Sequence, residues 1–280
     1  MRQICGTIGA VVPSLDNLFF ASVIDGIEAY ARNNAYSLLL RCAQNDPERE
    51  MACITEYIYN KAAGVIVISP NTENLRQSLY EDLAMTIPMA FINAYHHIEG
   101  ACYVANDEAA GARKALNYLY GLGHRRLMLV RGGLSDSYEI KERAFHQFLQ
   151  ENGLAQGSVL NIGNGNSADT VEATVEQLLP RLQNSRPTAI LCCNDLMGLG
   201  AVNACKRLGL RVPEDISVIG YDNTPPAKYV EPNLTTMDQN MYELGHKAAE
   251  AIIHQIKTGE TQDITLENKL IERDSTGPAV

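Results

Sequence analysis

Between Pro187 and Asp222 the chain reads PTAILCCNDLMGLGAVNACKRLGLRVPEDISVIGYD. An apolar run from Ala189 to Cys193 stops at Asn194-Asp195, and a helical pattern follows. Gly209 and Val212-Pro213 break that pattern, and a second apolar run ends at Asp222. Strand, helix and strand in this order close as a right-handed crossover between parallel strands. Polar residues stand just past the carboxyl ends of both strands, where α/β sheets meet their ligands. The segment therefore specifies a fold and the mouth of a binding site together.

The same alternation runs along the rest of the chain. Ile8 to Val12, Leu38 to Cys42, Gly64 to Ile68, Met89 to Asn93 and Cys102 to Asn106 read as strands. Phe20, Val23, Ile24, Ile27 and Ala31 recur at helical spacing behind a cap at Asp16 or Asn17, and Asn33-Asn34 closes that helix. Pro47 opens the next helix after Asp46, another spans Glu73 to Leu83, and a long one starts at Asp107. A second series follows, with strands at Leu127 to Val130 and Val159 to Ile162 and a helix from Tyr138 to Asn152. About ten candidate strands are many for one strongly twisted sheet. The reading is an α/β protein of two lobes, each a parallel sheet with helices on both faces. Met241 to Ile256 adds an amphipathic helix, and ITLENKLIER reads as a strand-like tail.

Bulk properties exclude several classes. With 280 residues and a hydrophobic fraction of 46%, the chain can bury a large core. Its formal net charge of −10 repels phosphate backbones, and no basic run offsets it, so these residues alone are poor binders of nucleic acid. No apolar stretch reaches membrane-spanning length, and the start is too short for a signal peptide. The seven cysteines include Cys5 and the adjacent pair Cys192-Cys193, whose side chains point to opposite faces of a strand. They read as buried free thiols in a reducing cytoplasm. Gly132-Gly133 and Gly163-x-Gly165 lack a full dinucleotide fingerprint, and His96-His97 has no partner at metal spacing. No serine sits in a nucleophile elbow. No cofactor, no metal and no enzymatic activity are therefore expected.

Taken in order, IGAVVPSLDNLFFASVIDGIEAYARNNAYSLLL, DPEREMACITEYIYNKAAGVIVISP, IPMAFIN, VANDEAAGARKALNYLYGLGHRRLMLV, KERAFHQFL, the Pro187 to Asp222 unit, EPNLTTMDQN and LIERDST resemble the effector-binding core of the lactose-repressor (LacI/GalR) family of transcription regulators. The resemblance covers nearly the whole chain. It implies two Rossmann-like lobes of the type I periplasmic-binding-protein fold, the first from residues 1–131 plus 238–262 and the second from 132–237 plus 263–280. It further implies a sugar or other small polar metabolite bound between lobes, a homodimer, and operator DNA reached only through a separate headpiece. Only seven residues precede Ile8, too few for that headpiece, so the expectation is a core without it.

The resemblance also implies site residues. Arg143 matches the family arginine that reaches the ligand from the first helix of the second lobe, where its fork could grip paired hydroxyls or a carboxylate. Asp222 matches a ligand acceptor at a strand's carboxyl end; the other reading is a turn residue ahead of Pro225-Pro226. Asn194 is assigned to the ligand and Asp195 to the helix cap or an interlobe network, although either can cap. Phe19 and Phe20 match positions that pack on a bound ring, and Phe20 is also in phase with the core of its helix. Asn93 matches a polar contact, with a turn role as the alternative. Ser137 precedes Arg143 as a further candidate, and Asn166 stands where relatives present an aromatic. The rival function is a solute-binding protein of a transporter, which would need an export signal.

Overall fold

The protein is described by a computed structural model covering residues 6–154, 157–167, 169–184 and 186–279. Residues 1–5, with Cys5 and most of the lead before Ile8, lie outside the described residues. In chain order the elements are β1 (Gly6–Val12), α1 (Leu18–Asn33), β2 (Tyr36–Cys42), α2 (Pro47–Tyr59), β3 (Gly64–Ile68), α3 (Thr72–Arg76), α4 (Glu81–Ala84), β4 (Met89–Ile92) and β5 (Cys102–Asn106). There follow α5 (Glu108–Gly121), β6 (Leu127–Arg131), α6 (Asp136–Glu151), β7 (Gly157–Asn161), α7 (Thr170–Asn184), β8 (Ala189–Cys192), α8 (Asp195–Arg207), β9 (Ser217–Asp222) and β10 (Thr235–Asp238). The chain ends with α9 (Met241–Thr258), β11 (Asp263–Leu266) and β12 (Lys269–Ile271).

Two units form. One comprises Met1–Asn106 and Asn240–Leu266, the other Asp107–Gln239 and Glu267–Val280. The first unit holds a sheet in the order β11-β5-β4-β3-β1-β2, parallel throughout. Alternation along β3 loads both faces: Ile66 and Ile68 pack with Phe20, Val23 and Ile27 of α1 and Leu244 and Ile252 of α9. Val65 and Val67 point the other way, toward Tyr57, Tyr80 and Phe91. The expected caps form. Asn17 accepts from the Phe19 amide and Asp46 from the Arg49 amide, with Pro47 in the first turn of α2. Helices α1 and α9 approach closely because glycines meet at their crossing. A Cβ on Gly26 would lie 2.0 Å from the Tyr242 carbonyl oxygen, and one on Gly245 would lie 1.9 Å from that of Val23.

The second unit holds a sheet in the order β12-β10-β9-β8-β6-β7, parallel except for the antiparallel pair β10–β12. Its core joins Leu116 and Leu119 of α5, Phe145 and Phe148 of α6, and Val202 of α8 to strand residues such as Leu129 and Ile190.

Three sequence expectations are corrected. The boundary placed after residue 131 falls at 106–107, because β6 pairs with β7 and β8 and carries α5 into the second unit. An apolar strand reads alike in either sheet, so its partners had to decide. The tail assigned whole to the second unit divides, with β11 parallel to β5 in the first sheet and β12 on β10 in the second. The single helix from Glu73 to Leu83 is two short ones, α3 and α4, parted where Ser78 turns to φ +56°.

Candidate functional site

The second unit concentrates buried polar groups past the carboxyl ends of its strands. Helix α6 buries Tyr138, Lys141, Phe145 and Phe148, one helical stripe interrupted by a single cation. Lys141 Nζ donates to Ser137 Oγ at 2.7 Å, and Ser137 Oγ donates to Glu108 Oε1 at 2.9 Å. The ammonium pairs with Glu108 Oε2 at 2.8 Å and sits 4.2 Å from the centroid of the Tyr221 ring. Side-chain exposures of 2% and 1% make this a buried ion pair, tolerable only because each charge has its partner.

Beside it, the Tyr138 hydroxyl donates to Asn166 Oδ1 at 3.0 Å and lies 3.3 Å from the Gly165 carbonyl. A side chain at Gly165 would crowd this cluster: a Cβ would stand 2.8 Å from the Tyr138 hydroxyl and 3.0 Å from the Gly132 Cα. Burial holds the Tyr138 phenol well above its usual range, so it stays a donor. Burial also pushes the Cys193 thiol up to about 12, which keeps it protonated at neutral pH.

Asp222 closes β9, 4% exposed, with φ +124°, a left-handed value that a non-glycine residue adopts only under constraint. Gln239 Nε2 donates to its Oδ1. Burial raises the Asp222 carboxyl well above the usual range and the neighbouring Asp195 adds to this, while Lys141 opposes it. Asp195 accepts the Thr224 amide at 2.6 Å, the Thr224 hydroxyl at 2.8 Å and the Thr236 hydroxyl at 2.6 Å. Burial still lifts it to about 6 against the pull of those bonds.

In the first unit, Asn93 follows β4 at φ +55°. Its amide donates to the Val104 carbonyl at 3.0 Å, and its Oδ1 accepts from the Asn106 amide at 3.2 Å. Phe19 and Phe20 are 5% and 2% exposed, edge to face at 5.3 Å, within the core shared by α1 and α9.

Comparison with known proteins adds the lineage. A family model described as periplasmic binding protein-like domain matches residues 116–276. The HTH-type transcriptional repressor PurR of Vibrio atlanticus is 31% identical over 274 residues, an overlap covering 96% of this chain and 80% of the repressor. The chain belongs to the LacI/GalR family of transcription regulators. The ribose operon repressor of Haemophilus influenzae is another relative, 28% identical over 272 residues and covered to 80% of its length. The solved LacI family transcriptional regulator from Enterococcus faecalis, with bound ribose, superposes with a TM-score of 0.85 at 27% identity, covering 98% of this chain and 100% of that one. These relatives are named as transcriptional regulators, not enzymes, and two lobes of largely parallel sheet are the expected LacI/GalR architecture.

Within this LacI/GalR core the structure gathers Ser137, Asn166, Asn194 and Asp222 around Tyr138 and Lys141, and leaves Arg143 apart. Arg143 is 64% exposed on α6, 4.0 Å from Glu139. Two residues along an α-helix is about 200° around it, so Arg143 occupies the face opposite Lys141. The inward cation is Lys141, which the sequence reading passed over together with Glu108, Tyr138, Tyr221 and Gln239. The usable signal was Tyr138, Lys141, Phe145 and Phe148 at helical spacing.

Asn194 takes the cap role that was first offered to Asp195. Asn194 is the cap of α8, accepting from the Met197 amide at 2.9 Å, and its Nδ2 donates to the Gly165 carbonyl at 2.6 Å. Asp195 is the first helical residue and ties the Thr224 turn and β10 together within its own unit. Phe19 and Phe20 take the core alternative. Asn93 takes the turn alternative in this structure.

Proposed function

We propose that this chain is the effector-sensing core of a LacI/GalR-type transcription regulator, and that its effector is a small polar metabolite of the sugar class. The carrying observation is the polar floor of Tyr138, Asn166 and Asp222 past the carboxyl ends of β6, β7 and β9, built on a strained acid. Strain of that kind persists where the surroundings impose it for a purpose. Relatives named as the ribose operon repressor and a LacI family regulator with bound ribose support the ligand class.

In this reading Asp222 accepts ligand hydroxyls, and Asn166 and the Tyr138 hydroxyl complete the polar contacts. A ligand with higher affinity for one arrangement of the protein shifts the population toward it by that difference. In a cytoplasmic homodimer carrying headpieces, this shift would change operator affinity. Isothermal titration of the chain with pentoses, hexoses, their acids and phosphates, and nucleosides tests the reading. One compound is expected to bind with a Kd of about 1 μM to 1 mM and to lose at least about tenfold in affinity on Asp222→Asn. Absence of binding across the whole panel, or a binder indifferent to Asp222→Asn, refutes it.

A further inference from the structure

The charge balance around Lys141 determines what this floor refuses. An ammonium has three N–H donors. Here they meet Ser137 Oγ at 2.7 Å, Glu108 at 2.8 Å and the Tyr221 ring face at 4.2 Å. The neighbouring cations are engaged as well. Arg131 donates to the Gly132 carbonyl at 2.9 Å and the Gly133 carbonyl at 2.6 Å, and pairs with Glu142. Arg273 donates to the Leu234 carbonyl at 2.6 Å and to Asn223. Against Lys141, Arg131 and Arg273 stand the carboxyl groups of Glu108, Glu142, Asp195 and Asp222. An anionic ligand would have to pull Lys141 away from Glu108, leaving that buried carboxylate without its cation. Removing one partner of a buried pair is the costly step.

We propose that the site selects uncharged ligands against their phosphorylated or carboxylated counterparts, and that Glu108, by occupying Lys141, is the residue that sets this selectivity. The inference rests on the reading that this floor holds the effector. An uncharged polyol needs no cation here: its hydroxyls donate to Asp222 and to the Tyr138 oxygen, whose own proton is held by Asn166, and the ion pair stays closed beneath it.

The test is calorimetric titration of the full chain with inorganic phosphate at millimolar concentration, in the unmodified protein, in Glu108→Gln, and in the double variant Glu108→Gln/Lys141→Met. No binding is expected in the unmodified protein, binding in Glu108→Gln, and its loss again in the double variant. Phosphate binding by the unmodified protein that Lys141→Met abolishes would overturn the proposal, as would a folded Glu108→Gln protein that gains none. Should Glu108→Gln fail to fold, the unmodified chain decides. A neutral compound that binds is expected to outcompete its own phosphate ester by at least about tenfold, and equal or tighter binding of the ester overturns the proposal. A chain that takes no neutral compound yet shows the phosphate gain in Glu108→Gln refutes the effector reading while upholding the role of Glu108.

Discussion

Replacing Gly245 with alanine tests the packing of the first unit at its tightest point. The added methyl would stand 1.9 Å from the Val23 carbonyl oxygen and 3.0 Å from the Ile27 amide nitrogen, both backbone atoms that no rotamer change can move. A carbon needs about 3.3 Å from a carbonyl oxygen, so α1 and α9 must part by roughly 1 Å. A gap of that size forfeits about a quarter to a half of the contact energy across it. Val23, Ile27, Leu244 and Ile252 on these helices are 0% exposed, and fully burying such side chains stabilises by about 1.5–3 kcal/mol each. Losing about a third of that sum is about 3 kcal/mol, against which the higher helix propensity of alanine returns up to about 1 kcal/mol. The expected net loss is about 2–3 kcal/mol, read as a fall of about 1 M in the urea midpoint by far-ultraviolet circular dichroism. Gly121 is the control. Nothing lies within 4 Å of a Cβ there, so Gly121→Ala is expected to be neutral or to stabilise by up to about 1 kcal/mol. A loss below about 1 kcal/mol for Gly245→Ala would refute the close crossing.

Other outcomes follow from the second unit. Lys141→Met takes the cation from the buried Glu108 and should destabilise by about 3–5 kcal/mol, whereas Arg143→Ala, on the solvent face, should stay within about 0.5 kcal/mol in the same urea titration. Asp195 is lifted to about 6 from an ordinary aspartate value. Its contribution to stability is therefore complete below the unfolded-state value near 4 and declines as pH rises through 6. Asp195→Asn should flatten that slope between pH 4 and 7 in thermal unfolding, and an unchanged slope would contradict the assignment. Tyr138→Phe removes the hydroxyl held by Asn166 and should cost about 1 kcal/mol while weakening the effector.

Much of the architecture was legible because local chemistry and global packing agree. Asn17 and Asp46 cap the helices that their positions announce, Pro47 stands at the first turn where its missing N–H costs nothing, and β3 is a continuous apolar run because both its faces are covered. Partnership was not legible. β6 carries no mark of which sheet it joins, and a ten-residue tail can contribute a strand to each unit without any change in pattern. Asp222, Ser137 and Asn166 were candidates through the family resemblance, and Asp222 also through its place at a strand's carboxyl end. Lys141 was missed because a lysine beside an arginine invites attention to the stronger binder, and only helical phase shows which of the two turns inward. Asn194 and Asp195 are both competent caps, and Thr224 and Thr236, distant in sequence, decide between them.

The late return of α9 to α1 has a consequence for synthesis. As the chain leaves the ribosome, the sheet that begins with β1 lacks one of its covering helices until Thr258 has emerged, by which time nearly all of the second unit has already been made. The apolar face of α1 must therefore wait exposed, or sheltered by chaperones, through the translation of more than a hundred intervening residues. A pause or truncation before α9 would release a product whose oldest segment is its most aggregation-prone.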